Sequence, residues 1–172
     1  MTPLILFSGG IESTLLIHQA PKNSIVLSIN PAFNNELQTY HSENSNKILQ
    51  HYGLKRYTSI MKLNIPCTEQ YTFVHQMRVF VSIANLWCSK LPITEVWCGR
   101  NISEPNNDIK PFIEQMMDAW TILHPNIPFN HPNEHLTRKE QYDLIPTKIQ
   151  TLVSSCIYHK KCGKCFKCKE QI

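Results

Sequence analysis

Short apolar runs alternate along this chain with stretches in which apolar residues recur every three or four positions. Residues 3–7, Pro-Leu-Ile-Leu-Phe, form the first run and lead straight into Ser8-Gly9-Gly10. An apolar run of that length closed by glycines predicts a buried strand. Ile11, Leu15, Leu16 and Ala20 then follow helical spacing, so the first unit reads strand, glycine turn, helix. Residues 24–29 are β-branched and apolar enough for a second strand, which Pro31 is expected to stop. A helix over 36–52 carries Leu37, Tyr40, Ile48, Leu49 and Tyr52 on roughly one side, with Gly53 placed to end it. Residues 57–61 predict a third strand. Over 71–89, Phe73, Val74, Met77, Phe80, Val81, Ala84, Trp87 and Cys88 recur at three and four, the clearest helical signal in the chain. A fourth strand over 94–98 ends at Gly99.

The order βαβαβαβ predicts an α/β fold with a doubly wound parallel sheet, because parallel neighbours need crossover connections of about helix length. Ligands of such sheets bind beyond the carboxyl ends of the strands, where Ser8-Gly9-Gly10 and Gly99 would lie. From Ser103 onward, prolines at 105, 111, 125, 128 and 132 break the chain into shorter pieces. A helix over 111–123 starts with proline at its first position, and another is expected from Thr137, with Glu140 completing a capping box. The organisation expected is an α/β core over 1–102, a helical extension over 103–150 and a small carboxyl-terminal segment over 151–172. All three belong to one compact domain.

Composition narrows the function classes. With 172 residues, 42% apolar and 17% charged, and a net charge of +4, the chain is neither disordered nor a strongly cationic nucleic-acid binder. No apolar run approaches the roughly 18 residues that span a membrane, and Met1-Thr2-Pro3 lacks a charged leader region. A cytoplasmic protein without a membrane partner is expected. Of the seven cysteines, Cys67, Cys88 and Cys98 stand alone in the apolar middle and are expected to act as small buried hydrophobes. Cys156, Cys162, Cys165 and Cys168 follow the pattern C-x5-C-x2-C-x2-C, which is metal-ligand spacing. Four thiolates suit one tetrahedral, structural Zn²⁺, with Gly163 easing the turn; an iron–sulfur cluster is the alternative. Five lysines, at 160, 161, 164, 167 and 169, surround these cysteines. They favour the thiolate form, and with Phe166 as the only aromatic between the last two cysteines this compensation is preferred over a nucleic-acid-binding knuckle.

Phe7-Ser8-Gly9-Gly10-Ile11-Glu12-Ser13-Thr14 places glycines and hydroxyls at a helix amino terminus, an arrangement suited to phosphate or pyrophosphate. Neither a Walker loop nor the G-x-G-x-x-G fingerprint is present. Ser8-Gly9-Gly10-Ile11-Glu12-Ser13 resembles the SGGxDS loop of the PP-loop ATP pyrophosphatases, the adenine nucleotide alpha hydrolase-like group, with Glu12 where the pattern has Asp. That resemblance implies ATP as substrate, Mg²⁺ as its companion, and pyrophosphate leaving into the loop held by residues 7–14.

Together, the loop and the Ser155-Cys156 and Cys162-Gly163-Lys164-Cys165-Phe166-Lys167-Cys168 segments resemble the 7-cyano-7-deazaguanine synthase family. Weaker matches follow in order: Arg78 before an apolar helix, Gly99, Asp108 and the Pro111-Phe112-Ile113-Glu114 stretch, and Leu136-Thr137-Arg138-Lys139-Glu140, with arginine at a lysine position. The resemblance implies conversion of 7-carboxy-7-deazaguanine, ammonia and ATP to a nitrile through adenylated intermediates. Ser8, Ser13, Arg78 and Asp108 are then the catalytic candidates, and Lys110 and Arg138 are further candidates for phosphate or substrate contact. No glutaminase pattern is visible, so ammonia is expected free or from a partner. A homodimer is compatible with this reading. Alternatives are a related adenylating enzyme with another acceptor, such as a protein, another amide or a tRNA to be thiolated, and a catalytically silent zinc-binding nucleotide or nucleic-acid adaptor.

Overall fold

The computed structural model describes residues 1–31, 35–61, 69–100 and 110–153. At its centre β1 (Pro3–Phe7) is buried along its whole length. Leu4 and Leu6 join one apolar cluster and Ile5 and Phe7 another, so the period of two in a strand hands alternate residues to opposite faces of the sheet. A run this apolar has to be covered on both sides.

β1 pairs in parallel with β2 (Ile25–Pro31) on one side and β4 (Glu95–Cys98) on the other. β3 (Lys55–Met61) extends the sheet beyond β2, and β5 (Phe129–Asn130) beyond β4, giving the order β3-β2-β1-β4-β5. One face is covered by α1 (Ile11–Gln19) and α2 (Asn35–Tyr52), with α5 (Arg138–Asp143) and α6 (Thr147–Gln150) packed beside them. There Ile11, Leu15, Leu16, Ile17, Ile48, Leu49, Ile145 and Ile149 close over Ile5, Phe7 and Val26. The other face carries α3 (Glu69–Cys88) and α4 (Lys110–Leu123), whose Met77, Phe80, Ala84 and Trp120 pack on Leu4, Leu6, Leu27 and Val96. Each fully buried aliphatic side chain contributes about 1.5–3 kcal/mol relative to exposure. Cys88 and Cys98 lie in this second cluster, as expected of small hydrophobes, and burial pushes the Cys88 thiol up to about 11.

Pro31 ends the second strand as expected, standing as its last member and paired with Met61. β1 accompanies β2 only as far as Ser28, so Pro31 sits where the strand has one neighbour and its missing N–H costs little. The sheet also has a fifth strand. Phe129–Asn130 is too short for any periodicity, yet Val96 N–H donates to Pro128 O at 2.9 Å and Trp120 Nε1 donates to Ile127 O at 2.7 Å. Trp120 and Phe129 meet edge to face at 5.3 Å, which fixes the segment against α4. The capping box before α5 forms as expected, Thr137 Oγ1 accepting from Glu140 N at 3.2 Å and Thr137 N donating to Glu140 Oε2 at 2.7 Å. Among the described residues no helix is long and apolar enough to cross a membrane.

Candidate functional site

The strand order reverses direction between β1 and β4, and the carboxyl ends of those strands deliver the glycine loop and Gly99 to one place. Gly9 has φ +80°, a conformation that L side chains rarely adopt, and a Cβ there would lie 2.7 Å from Ser45 Oγ of α2. Gly10 is the N-cap of α1 and has no side chain to cap it. The first intrahelical bond runs from Thr14 N to Gly10 O at 2.9 Å, so first-turn amides have no intrahelical acceptor. This is the electropositive helix end that anions favour.

Hydroxyls knit the loop. Ser13 Oγ accepts from Ser8 N at 3.2 Å and donates to Gly10 O at 3.3 Å, and Ser8 Oγ lies 3.2 Å from Ser13 Oγ. Thr14 is fully buried, and its Oγ1 has no hydrogen-bond partner among the described residues. An orphaned hydroxyl in the first turn of an uncapped helix suits a polar ligand. Phe7 and Ile11 contribute backbone only, because both side chains belong to the core. Glu12 is buried, and its Oε1 lies 3.2 Å from Arg138 Nη1; the side chains are 11% and 5% exposed. Gly99 backs this arrangement, since a Cβ there would come within 2.7 Å of Glu12 C, Glu12 Cβ and Ser13 N.

The rest of the rim comes from the carboxyl ends of β4 and β5. His131 Nδ1–H donates to Cys98 O at 3.0 Å, which leaves Nε2 as a buried acceptor with no partner among the described residues. Burial, opposed by that backbone bond, lowers the His131 pKa below its ordinary value. Gln141 of α5 is fully buried and its Nε2 donates to Arg100 O at 2.6 Å and Asn133 O at 2.8 Å. Asn133 in turn donates to Gln19 Oε1 of α1 at 2.7 Å. These bonds hold α5, and with it Arg138, against α1.

The expected loop residues are therefore assembled, with Gly99 and Arg138 beside them. Arg78 is exposed on α3, across the sheet from α1. Asp108, Cys67 and the four tail cysteines, Cys156, Cys162, Cys165 and Cys168, lie outside the described residues, as does the side chain of Lys110. Ser45 and His131 were not anticipated. Ser45 sits three and four residues before Ile48 and Leu49 on the buried stripe of α2, a polar residue on an apolar face, and that pattern was its signal. His131 had none in the sequence.

Taken together, the 3-2-1-4-5 parallel sheet and the glycine loop at its switch point define a doubly wound α/β fold with its candidate site at the carboxyl ends of the strands. A solved structure to which the chain is similar is the U34-tRNA thiolase NcsA from Methanococcus maripaludis with its 4Fe-4S cluster. The TM-score is 0.63 at 17% sequence identity, covering 93% of this chain. The chain spans 61% of the thiolase chain's length. No family model and no curated protein matches the sequence.

Proposed function

We propose that the chain is an ATP-dependent adenylating enzyme in which an acceptor oxygen attacks the α-phosphorus and pyrophosphate leaves against α1. The observation that carries this reading is the loop itself: Gly9 in the left-handed region, an uncapped α1, and a buried unpartnered Thr14 hydroxyl at the switch point. The first-turn amides and Ser8 Oγ are the donors that would meet charge as it develops on the leaving group, and fixed donors need no reorganisation during the reaction. Mg²⁺ would arrive on the phosphates rather than on Glu12 Oε1, which is engaged by Arg138. When bound, it would supply further neutralisation of phosphate charge.

The acceptor we favour is 7-carboxy-7-deazaguanine, on the strength of the resemblance at both ends of the chain. Its carboxylate, a poor electrophile, would displace pyrophosphate to give an acyl adenylate; ammonia would then expel AMP and leave the amide. A second ATP would be attacked by the amide oxygen, again releasing pyrophosphate. Loss of AMP and a proton would then give the nitrile, so each carboxylate oxygen departs on one AMP. The four tail cysteines would hold a structural Zn²⁺.

A second reading is thiolation of a tRNA base, favoured by the likeness to the thiolase, with the tail thiolates then holding an iron–sulfur cluster. One preparation separates the two. Purified protein given ATP, Mg²⁺, ammonium and 7-carboxy-7-deazaguanine should release AMP and pyrophosphate and form the nitrile, and freshly isolated protein should be colourless with about one equivalent of zinc. Iron with visible absorption, and AMP release that depends on tRNA and a sulfur donor, would transfer the assignment to thiolation. No AMP under either condition would remove the adenylating reading.

A further inference from the structure

The two positions at which this chain carries a longer charged residue than the patterns it resembles, Glu12 for Asp and Arg138 for Lys, are partners in space. Arg138 Nη1 lies 3.2 Å from Glu12 Oε1 in a contact that is almost wholly out of water. The other carboxylate oxygen, Oε2, is on the loop side, 3.4 Å from where a Cβ on Gly10 would stand. A carboxylate in that position repels the phosphate that the helix end attracts, and a buried charge without a partner is costly in its own right. Arg138 is also the first residue of α5, the end of a helix at which a cation is disfavoured. Helix propensity does not put it there. The capping box at Thr137, the Gln141 bonds and the Asn133–Gln19 bond hold it there.

We propose that Arg138 is a positioning residue acting through Glu12: it neutralises and orients the loop's own carboxylate so that the amino end of α1 accepts a pyrophosphate group. This rests on the adenylating reading of the loop. It differs from direct phosphate contact by Arg138 in one respect: the arginine is needed only while Glu12 is charged.

Calorimetric titration of the full chain with inorganic pyrophosphate, and separately with uncharged adenosine, tests this. Arg138→Met should weaken pyrophosphate binding by about 10-fold or more and leave adenosine binding unchanged. Arg138→Lys should restore most of the affinity. Adding Glu12→Gln to Arg138→Met should bring pyrophosphate affinity back to within about threefold of wild type, because the charge to be neutralised is gone. If Arg138→Met does not fold, the Arg138→Lys and double variants carry the test. Equal loss of pyrophosphate and adenosine, or pyrophosphate affinity in Arg138→Met equal to wild type, would overturn the proposal. So would a double variant as weak as Arg138→Met. Wild type that binds neither ATP nor pyrophosphate overturns the loop reading as well, whereas normal wild-type binding with an unresponsive Arg138 overturns this proposal alone.

Discussion

Replacing Gly99 by alanine sets a methyl group at the point where the end of β4 meets the start of α1. The new Cβ would lie 2.7 Å from Glu12 C, Glu12 Cβ and Ser13 N. Non-bonded carbons settle at about 3.5–4.0 Å, so roughly 1 Å has to be found. Two of those three neighbours are backbone atoms in the first turn of α1, which cannot rotate aside, so the turn itself must move. Overpacking of this kind costs about 1–3 kcal/mol. In a chain of this size each kcal/mol lowers Tm by about 2–4 °C, which places the expected drop at about 2–12 °C. The functional loss should be larger than the stability loss, since a displacement of about 1 Å at reacting groups costs on the order of 100-fold in turnover. Gly53→Ala supplies the control: its φ is +64°, with nothing within 4 Å of the added Cβ, so it strains the backbone by about 1–2 kcal/mol without touching the loop. Thermal melts paired with pyrophosphate release from ATP report both effects. Gly99→Ala releasing pyrophosphate at the wild-type rate, or Gly53→Ala losing as much turnover as Gly99→Ala, would refute the reasoning.

Two further outcomes follow from the rim. Burial keeps folded His131 neutral below its ordinary value of 6.5, so the unfolded chain takes up this proton first as pH falls. Its contribution to stability is complete above about pH 6.5 and declines as pH drops through the lower folded value, so urea midpoints should fall more steeply with acid in wild type than in His131→Asn; equal slopes would contradict this. Thr137→Ala removes the capping box and should cost about 1 kcal/mol. The bonds from Thr137 hold the Glu140 carboxyl below its usual range, so its titration by NMR should move back up in the variant, and an unmoved titration would count against the box.

Much of the fold was legible because continuous apolar runs bounded by turn residues mark doubly covered strands and 3–4 spacing marks the helices between them. Residues 3–7, 24–29, 57–61 and 94–98 all fell within or one residue from strands of the sheet, in the order the alternation implied. What escaped depended on partners rather than on local pattern. Phe129–Asn130 is a strand only because Val96 and Trp120 bind its flanks. The turn from β1 into α1 was legible because Gly9 and Gly10 close an apolar run just where helical spacing begins. Arg138 is expected from the sequence as a candidate for phosphate or substrate contact, but its union with Glu12 depends on how α5 docks, which no spacing in either segment encodes.

That union also orders events in time. The loop precedes Asn133, Arg138 and Gln141 in the chain, and Asn133 meets Gln19 across 114 positions. Contacts of such separation close late, after the local helices and the central strands have formed. A nascent chain can therefore wind α1 and lay β1 beside β2 while its loop still exposes an uncompensated carboxylate to solvent. If Arg138 acts on Glu12 as proposed, competence for a polyanion would arrive only when α5 seats, and binding of pyrophosphate would report completion of folding rather than its onset.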